Sequence, residues 1–155
     1  RGYDRIVFVC PPLSDADKEN VYTHEKRREG FLSAVNETGI QNEIIGTWDY
    51  VQKVADILTD QSNKTAFFCS GDVYALDIMK ELRSKELRAG LDYGIMGFDN
   101  ISESRIVEPS LTTMDVPRHY MGECAARQLL FRAENHSQYP VKIAVAPTLV
   151  KRFTV

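Results

Sequence analysis

The strongest constraint on this chain is the order in which two periodicities alternate along it. Short apolar runs, Ile6-Val7-Phe8-Val9-Cys10, Glu43-Ile44-Ile45-Gly46, Thr65-Ala66-Phe67-Phe68-Cys69 and Gly94-Ile95-Met96-Gly97-Phe98, have the length and composition of buried strands. Between them the spacing turns helical. Phe31 and Val35 lie four apart within Tyr22 to Thr38, Val51, Val54, Ile57 and Leu58 share one helical face, and Ala75, Leu76 and Met79 point one way within Asp72 to Arg83. Strand and helix that alternate with short connections build a mostly parallel sheet covered by helices on both faces. The fold class is α/β, with an open, doubly wound sheet.

Local signals sharpen the boundaries. Pro11-Pro12 ends the first strand, Gly39 is placed as a helix terminator, and Asp49 stands at an N-cap position. After Pro109 the rhythm changes. Leu111 to Val116 reads as a strand, Pro117 opens a helix that runs through Phe131, and two strand-like pieces, Val141 to Val145 and Thr148 to Phe153, are split by Pro147. No internal repeat or low-complexity tract interrupts this order.

A chain of 155 residues suits one domain, and 43% hydrophobic with 26% charged residues is an ordinary globular balance. The formal charge of −3 lacks the basic excess that phosphate-backbone binding demands, so nucleic acid is not expected as a direct partner. Cys10, Cys69 and Cys124 are odd in number, far apart and set in or beside apolar runs, which fits buried free thiols and a cytoplasmic setting. Neither a membrane-spanning run nor a charged-then-apolar leader is expected, and Arg1 at the first position implies chain upstream.

In such a sheet ligands lie beyond the carboxyl ends of the strands. The residues there are Pro11 to Thr23, then Thr47 and Trp48, then Ser70, Gly71 and Asp72, and then Asp99 and Asn100. Arg27 reaches the same crevice if its helix begins near residue 22. An acid that accepts from hydroxyls, a guanidinium that donates in a fixed fork and an indole that covers an apolar face suit a small polyhydroxylated ligand. Each residue also has a plainer reading. Asp99 braces a turn, Trp48 belongs to the core, Arg27 lies on the solvated face of Glu25-Lys26-Arg27-Arg28-Glu29, and Asp72 is an N-cap. His24, His119 and His136 have no nucleophile spaced for catalysis, and neither a phosphate loop nor a zinc motif is present, so an enzyme is unmotivated and no cofactor or metal is implied.

Seven pieces in register carry a family likeness: Gly2-Tyr3-Asp4-Arg5-Ile6, Arg27-Arg28-Glu29-Gly30-Phe31, Ser70-Gly71-Asp72-Val73-Tyr74-Ala75-Leu76, Met96-Gly97-Phe98-Asp99-Asn100, Pro109-Ser110-Leu111-Thr112-Thr113-Met114, Met121-Gly122 and Leu149-Val150-Lys151-Arg152. From Gly2 to Thr154 the chain resembles the effector-binding core of the lactose-repressor and galactose-repressor family of bacterial transcription regulators.

The resemblance implies a periplasmic-binding-protein-like fold, Rossmann-like in its three layers. Residues 1–111 and 144–155 would form the carboxyl-terminal lobe, and 112–143 would cross to an amino-terminal lobe that is mostly absent. A small effector, a sugar or related polar compound, would sit between the lobes. Operator DNA would be bound only through a missing helix-turn-helix headpiece, and the protein would be a homodimer with no membrane association. By position Arg27 matches the family's ligand-binding arginine, Asp99 its acid, Trp48 its stacking aromatic, Thr23 a polar contact four residues earlier, and Asp72 the acid of an Asn-Asp pair. Gly71 stands where many sugar-responsive members have the Asn. The competing reading is a solute-binding protein of a sugar transporter.

Overall fold

A computed structural model describes residues 2–13, 21–60, 63–135 and 139–155. The strands are β1 (Arg5–Cys10), β2 (Gln41–Gly46), β3 (Thr65–Cys69), β4 (Gly94–Asp99), β5 (Thr112–Asp115) and β6 (Thr148–Val150). The helices are α1 (Val21–Thr38), α2 (Tyr50–Thr59), α3 (Asp72–Ser84), α4 (Glu103–Ile106) and α5 (Arg118–Asn135). One sheet of order β2-β1-β3-β4-β5-β6 results, parallel from β2 to β5 with β6 antiparallel at the edge.

The alternation of side chains along β1 explains the layers. Val7 and Val9 face one side and pack with Ile45, Phe67, Cys69 and Ile95 against Val54 of α2 and Ala75, Ile78 and Leu82 of α3. Phe8 and Cys10 face the other side, where Phe31 and Val35 of α1 cover them. Phe8 lies 5.2 Å from Phe31 between ring centroids and meets the Phe68 ring edge-on at 5.4 Å. The strand order reverses between β1 and β3, which opens a crevice above their carboxyl ends.

Three local expectations are corrected. Val141 to Val145 forms no strand, and the last strand is limited to Thr148–Val150, because beyond it the Arg152 N–H donates to Thr112 Oγ1 and the Phe153 N–H to the Ser110 carbonyl instead of continuing the ladder. Asp49 occupies the N-cap position of α2 as expected, with no side-chain capping bond and its carboxylate 3.5 Å from Lys53 Nζ. The N-cap of α3 is Gly71 rather than Asp72, which is the first helical residue. Gly39 ends α1 as expected, at φ 65°, with its N–H on the Val35 carbonyl.

Thr112–Asp115 stays in the sheet, so the excursion between β5 and β6 starts at Val116. Its helix, α5, buries none of its residues, and Met121, Leu129, Leu130 and Phe131 are exposed along it.

Candidate functional site

The carboxyl ends of β3 and β4 and the first turns of α1 meet at one ion pair. Arg27 Nη2 donates to Asp99 Oδ1 at 3.0 Å, and Arg27 Nη1 donates to the Ser70 carbonyl. Its guanidinium lies 3.8 Å from the centroid of the Phe98 ring, so an aromatic face fixes its plane. The solvated-face reading of Arg27 therefore gives way, since its side chain is 19% exposed and the Asp99 side chain 33%. Both remain reachable from the crevice.

Asp99 is held in an uncommon backbone conformation. Its φ is 111°, a value side-chain-bearing residues rarely adopt, and that of Asn100 is 49°, in the left-handed region that asparagine tolerates. Asp72 braces this turn from α3. Its buried carboxylate accepts from the Ile101 N–H at 3.0 Å, from Ser104 Oγ at 2.6 Å and from Thr113 Oγ1 at 2.5 Å. Gly97 is required beneath it, because a Cβ there would stand 2.1 Å from Asp72 Oδ1. Asp72 thus holds the turn that presents Asp99, with its carboxylate oxygens engaged by the protein and its side chain under the crevice floor.

Thr23 and Arg27 line a groove of about 710 Å³ whose apolar walls include Phe98, Met96, Met121 and Val145. Trp48 follows β2, three strand spacings from β4 and so about 14 Å across the sheet. It is 54% exposed, which removes the core reading, and it shares a ligand with Asp99 only by leaning over β1 and β3. A larger hollow of about 1380 Å³ lies by Tyr93, Ile106 and Phe153, at the opposite end of β4 from Asp99. It gathers no part of this constellation.

Sequence reasoning gave no role to three rings that stand near this ion pair. His24, one turn before Arg27 and Arg28 on α1, meets the Tyr74 ring at 5.9 Å, and Tyr74 meets Tyr50 at 5.6 Å. Burial and then the neighbouring Arg27 hold the His24 imidazole below its ordinary pKa, against a smaller upward pull from Asp99. Gly71 has extended backbone at φ −162° and ψ 154°. A Cβ there would touch the Tyr74 ring at 3.4 Å and lie 3.7 Å from Asp99 Oδ2, so a side chain at position 71 would stand beside the acid. Burial pushes the Cys10 thiol up to about 11, which leaves it inert. Among the described residues no cluster of His, Cys, Asp and Glu is arranged to hold a metal ion, and no helix is long and apolar enough to cross a membrane.

A doubly wound sheet that presents an acid and an arginine at its strand ends has them where open α/β sheets hold their ligands. Residues 1–155 match the model of the periplasmic binding protein-like domain over their whole length. The HTH-type transcriptional repressor PurR of Yersinia pestis (strain Pestoides F) is 34% identical over 136 residues, covering 83% of this chain and 40% of the repressor. The crystal structure of the Lac repressor bound to ONPG in the repressed state superposes with a TM-score of 0.79 at 25% identity, over 99% of this chain and 46% of that one. A LacI family transcriptional regulator from Enterococcus faecium with bound ribose shares the fold, with a TM-score of 0.79 at 24% identity over 99% of this chain and 57% of that one. The chain belongs to the periplasmic binding protein-like family, as an effector-binding domain of the lactose-repressor and galactose-repressor type. It spans less than half the length of the curated relatives it matches.

Proposed function

We propose that this lobe binds a small sugar-like effector in a cleft closed by a second lobe, and that closure controls operator binding by a helix-turn-helix headpiece outside this chain. The observation that carries the reading is the Arg27–Asp99 pair at the strand ends, with Asp99 held at φ 111°. A fork of N–H donors beside a carboxylate presents both hydrogen-bond polarities within 3.0 Å, the pattern that adjacent hydroxyls match. Thr23 and Trp48 extend the contact surface, and Gly71 leaves out a side chain next to Asp99, which favours a ligand different from those that need an amide there.

The excursion from Val116 to Pro147 is read as the crossing to the second lobe, and the exposed residues of α5 as its packing face. The working form is a cytoplasmic homodimer without catalytic activity. Relatives that are named as repressors favour the regulator over a transporter's solute-binding protein.

A thermal-shift screen of the full-length protein against pentoses, hexoses and nucleobases tests the reading, with ribose as the first compound because a neighbour of the same fold carries it. The reading expects at least one compound to raise the melting temperature and to change operator retention. A compound that stabilises the protein and leaves operator affinity unaltered would refute the regulatory half.

A further inference from the structure

The excursion between β5 and β6 is bracketed at its base by two residues that meet on a third. Asp115 is the last residue of β5, and Arg152 lies just past β6. Asn100, the neighbour of Asp99, joins them: Arg152 Nη2 donates to Asn100 Oδ1 at 2.6 Å, and Asn100 Nδ2 donates to Asp115 Oδ1 at 2.8 Å. The other arm of Arg152, Nη1, donates to the Leu111 carbonyl at 2.5 Å, and its backbone N–H donates to Thr112 Oγ1 at 2.9 Å. One guanidinium therefore spans the strand that leaves the sheet, the strand that returns, and the turn that presents the acid.

We propose that Arg152 is the positioning residue of this site, a latch that holds the left-handed Asp99-Asn100 backbone and couples Asp99 to the base of the excursion. The Asn100 φ of 49° places its amide between Arg152 and Asp115, and the Asp99 φ of 111° turns the carboxylate toward Arg27. Asp72 secures the far side of the same turn through Ile101 and Ser104. With only the Asp72 side fastened, Asn100 is free to leave the left-handed region, where an asparagine is tolerated but not preferred. Rotation there carries the Asp99 carboxylate away from Arg27. Conversely, any movement of β5 against β6 pulls on Asn100 and reaches Asp99 one residue away. The coupling to an effector rests on Arg27 and Asp99 being ligand side chains, whereas the latch itself does not.

The test therefore reads the ion pair with no ligand added. Nuclear magnetic resonance of the chain carrying isotope-labelled arginine, with the Arg27 signal assigned by its loss in Arg27→Lys, reports solvent exchange of the Arg27 guanidinium. In Arg152→Met and in Asn100→Ala that exchange is expected to speed up about tenfold or more, as in Asp99→Asn, the scale of one lost charge-assisted hydrogen bond. Arg152→Lys is expected to recover part of the protection. The amide of Ile95, bonded to the Thr154 carbonyl at 2.8 Å, serves as the control and stays protected. If Arg152→Met does not fold, Asn100→Ala decides alone, since it leaves the Arg152 bond to Leu111 in place. Unchanged Arg27 exchange in either folded variant overturns the latch, and loss of Ile95 protection together with Arg27 protection overturns it too, as mere unfolding of the edge. Slow exchange restored by Arg152→Lys with no compound able to bind would uphold the latch and sink the effector reading instead.

Discussion

Arg27 and Asp99, 72 residues apart in sequence, meet across 3.0 Å with the Phe98 ring stacked 3.8 Å from the guanidinium. The pair ties α1 to the end of β4 and depends on the flat, forked shape of arginine as much as on its charge. Arg27→Lys keeps the charge and loses both the fork to the Ser70 carbonyl and the stacking on Phe98. Effector affinity in full-length protein is expected to fall about tenfold, or ~1.4 kcal/mol, and calorimetry checks it. Affinity within twofold of the parent would show that charge alone suffices.

Gly97→Ala places a Cβ against the Asp72 carboxylate, 2.1 Å from Oδ1 in the present geometry. Either the carboxylate moves and abandons the Ile101, Ser104 and Thr113 donors or the strand shifts. Overpacking of this kind costs about 1–3 kcal/mol, and displaced hydrogen bonds to a buried charge add to it. Urea unfolding should show a loss of at least ~2 kcal/mol. Gly71→Ala, whose Cβ would meet its neighbours at ordinary contact distances in extended backbone, should unfold like the parent.

The His24 imidazole titrates below its ordinary 6.5 in the folded chain, chiefly through burial and next through Arg27. A histidine that releases its proton more readily when folded leaves the unfolded state holding more protons below pH 6.5, so its stability contribution is complete above that pH and shrinks as pH falls toward the lowered value. His24→Phe keeps a ring against Tyr74 and removes the titration. Its unfolding free energy minus that of the parent should rise between pH 7 and pH 5, while Arg27, Asp99 and Tyr74 face the position in both proteins. A flat difference would place His24 in an environment like that of the unfolded chain.

Trp48 is the one tryptophan of the chain and is 54% exposed. Its emission should be that of a wet indole in the free protein and move to shorter wavelength as an effector covers it. A bound effector that leaves intensity and maximum unmoved would assign the indole to a role outside the cleft.

Much of this geometry was legible in the sequence because it follows from periodicity and punctuation. The alternation of short apolar runs with helical spacing implied a sheet covered on both faces, which Val7 and Val9 on one side and Phe8 and Cys10 on the other bear out, and Gly39 marked the end of α1. Arg27 and Asp99 were found by their place at element ends and by family likeness, and the structure brings them together. What periodicity did not carry was polar direction. Asp72 looks like a cap or a ligand contact in one dimension, and only the fold brings Ser104 and Thr113 onto it. Arg152 has no role in one dimension beyond its family-like piece, and only with β6 beside β5 and Asn100 turned left-handed does it meet Asn100. The expected strand at Val141 to Val145 failed because a β-rich composition makes a strand only with a partner edge to pair.

If Asp99 holds the effector of a transcription regulator, as we propose, one calorimetric comparison shows it. Full-length parent and Asp99→Asn are titrated with the compound that most raises the parent's melting temperature. Asparagine keeps the size and removes the acceptor charge, so binding is expected to weaken at least about tenfold, the scale of one charge-assisted hydrogen bond, with the fold intact. Equal dissociation constants for the two proteins would contradict it.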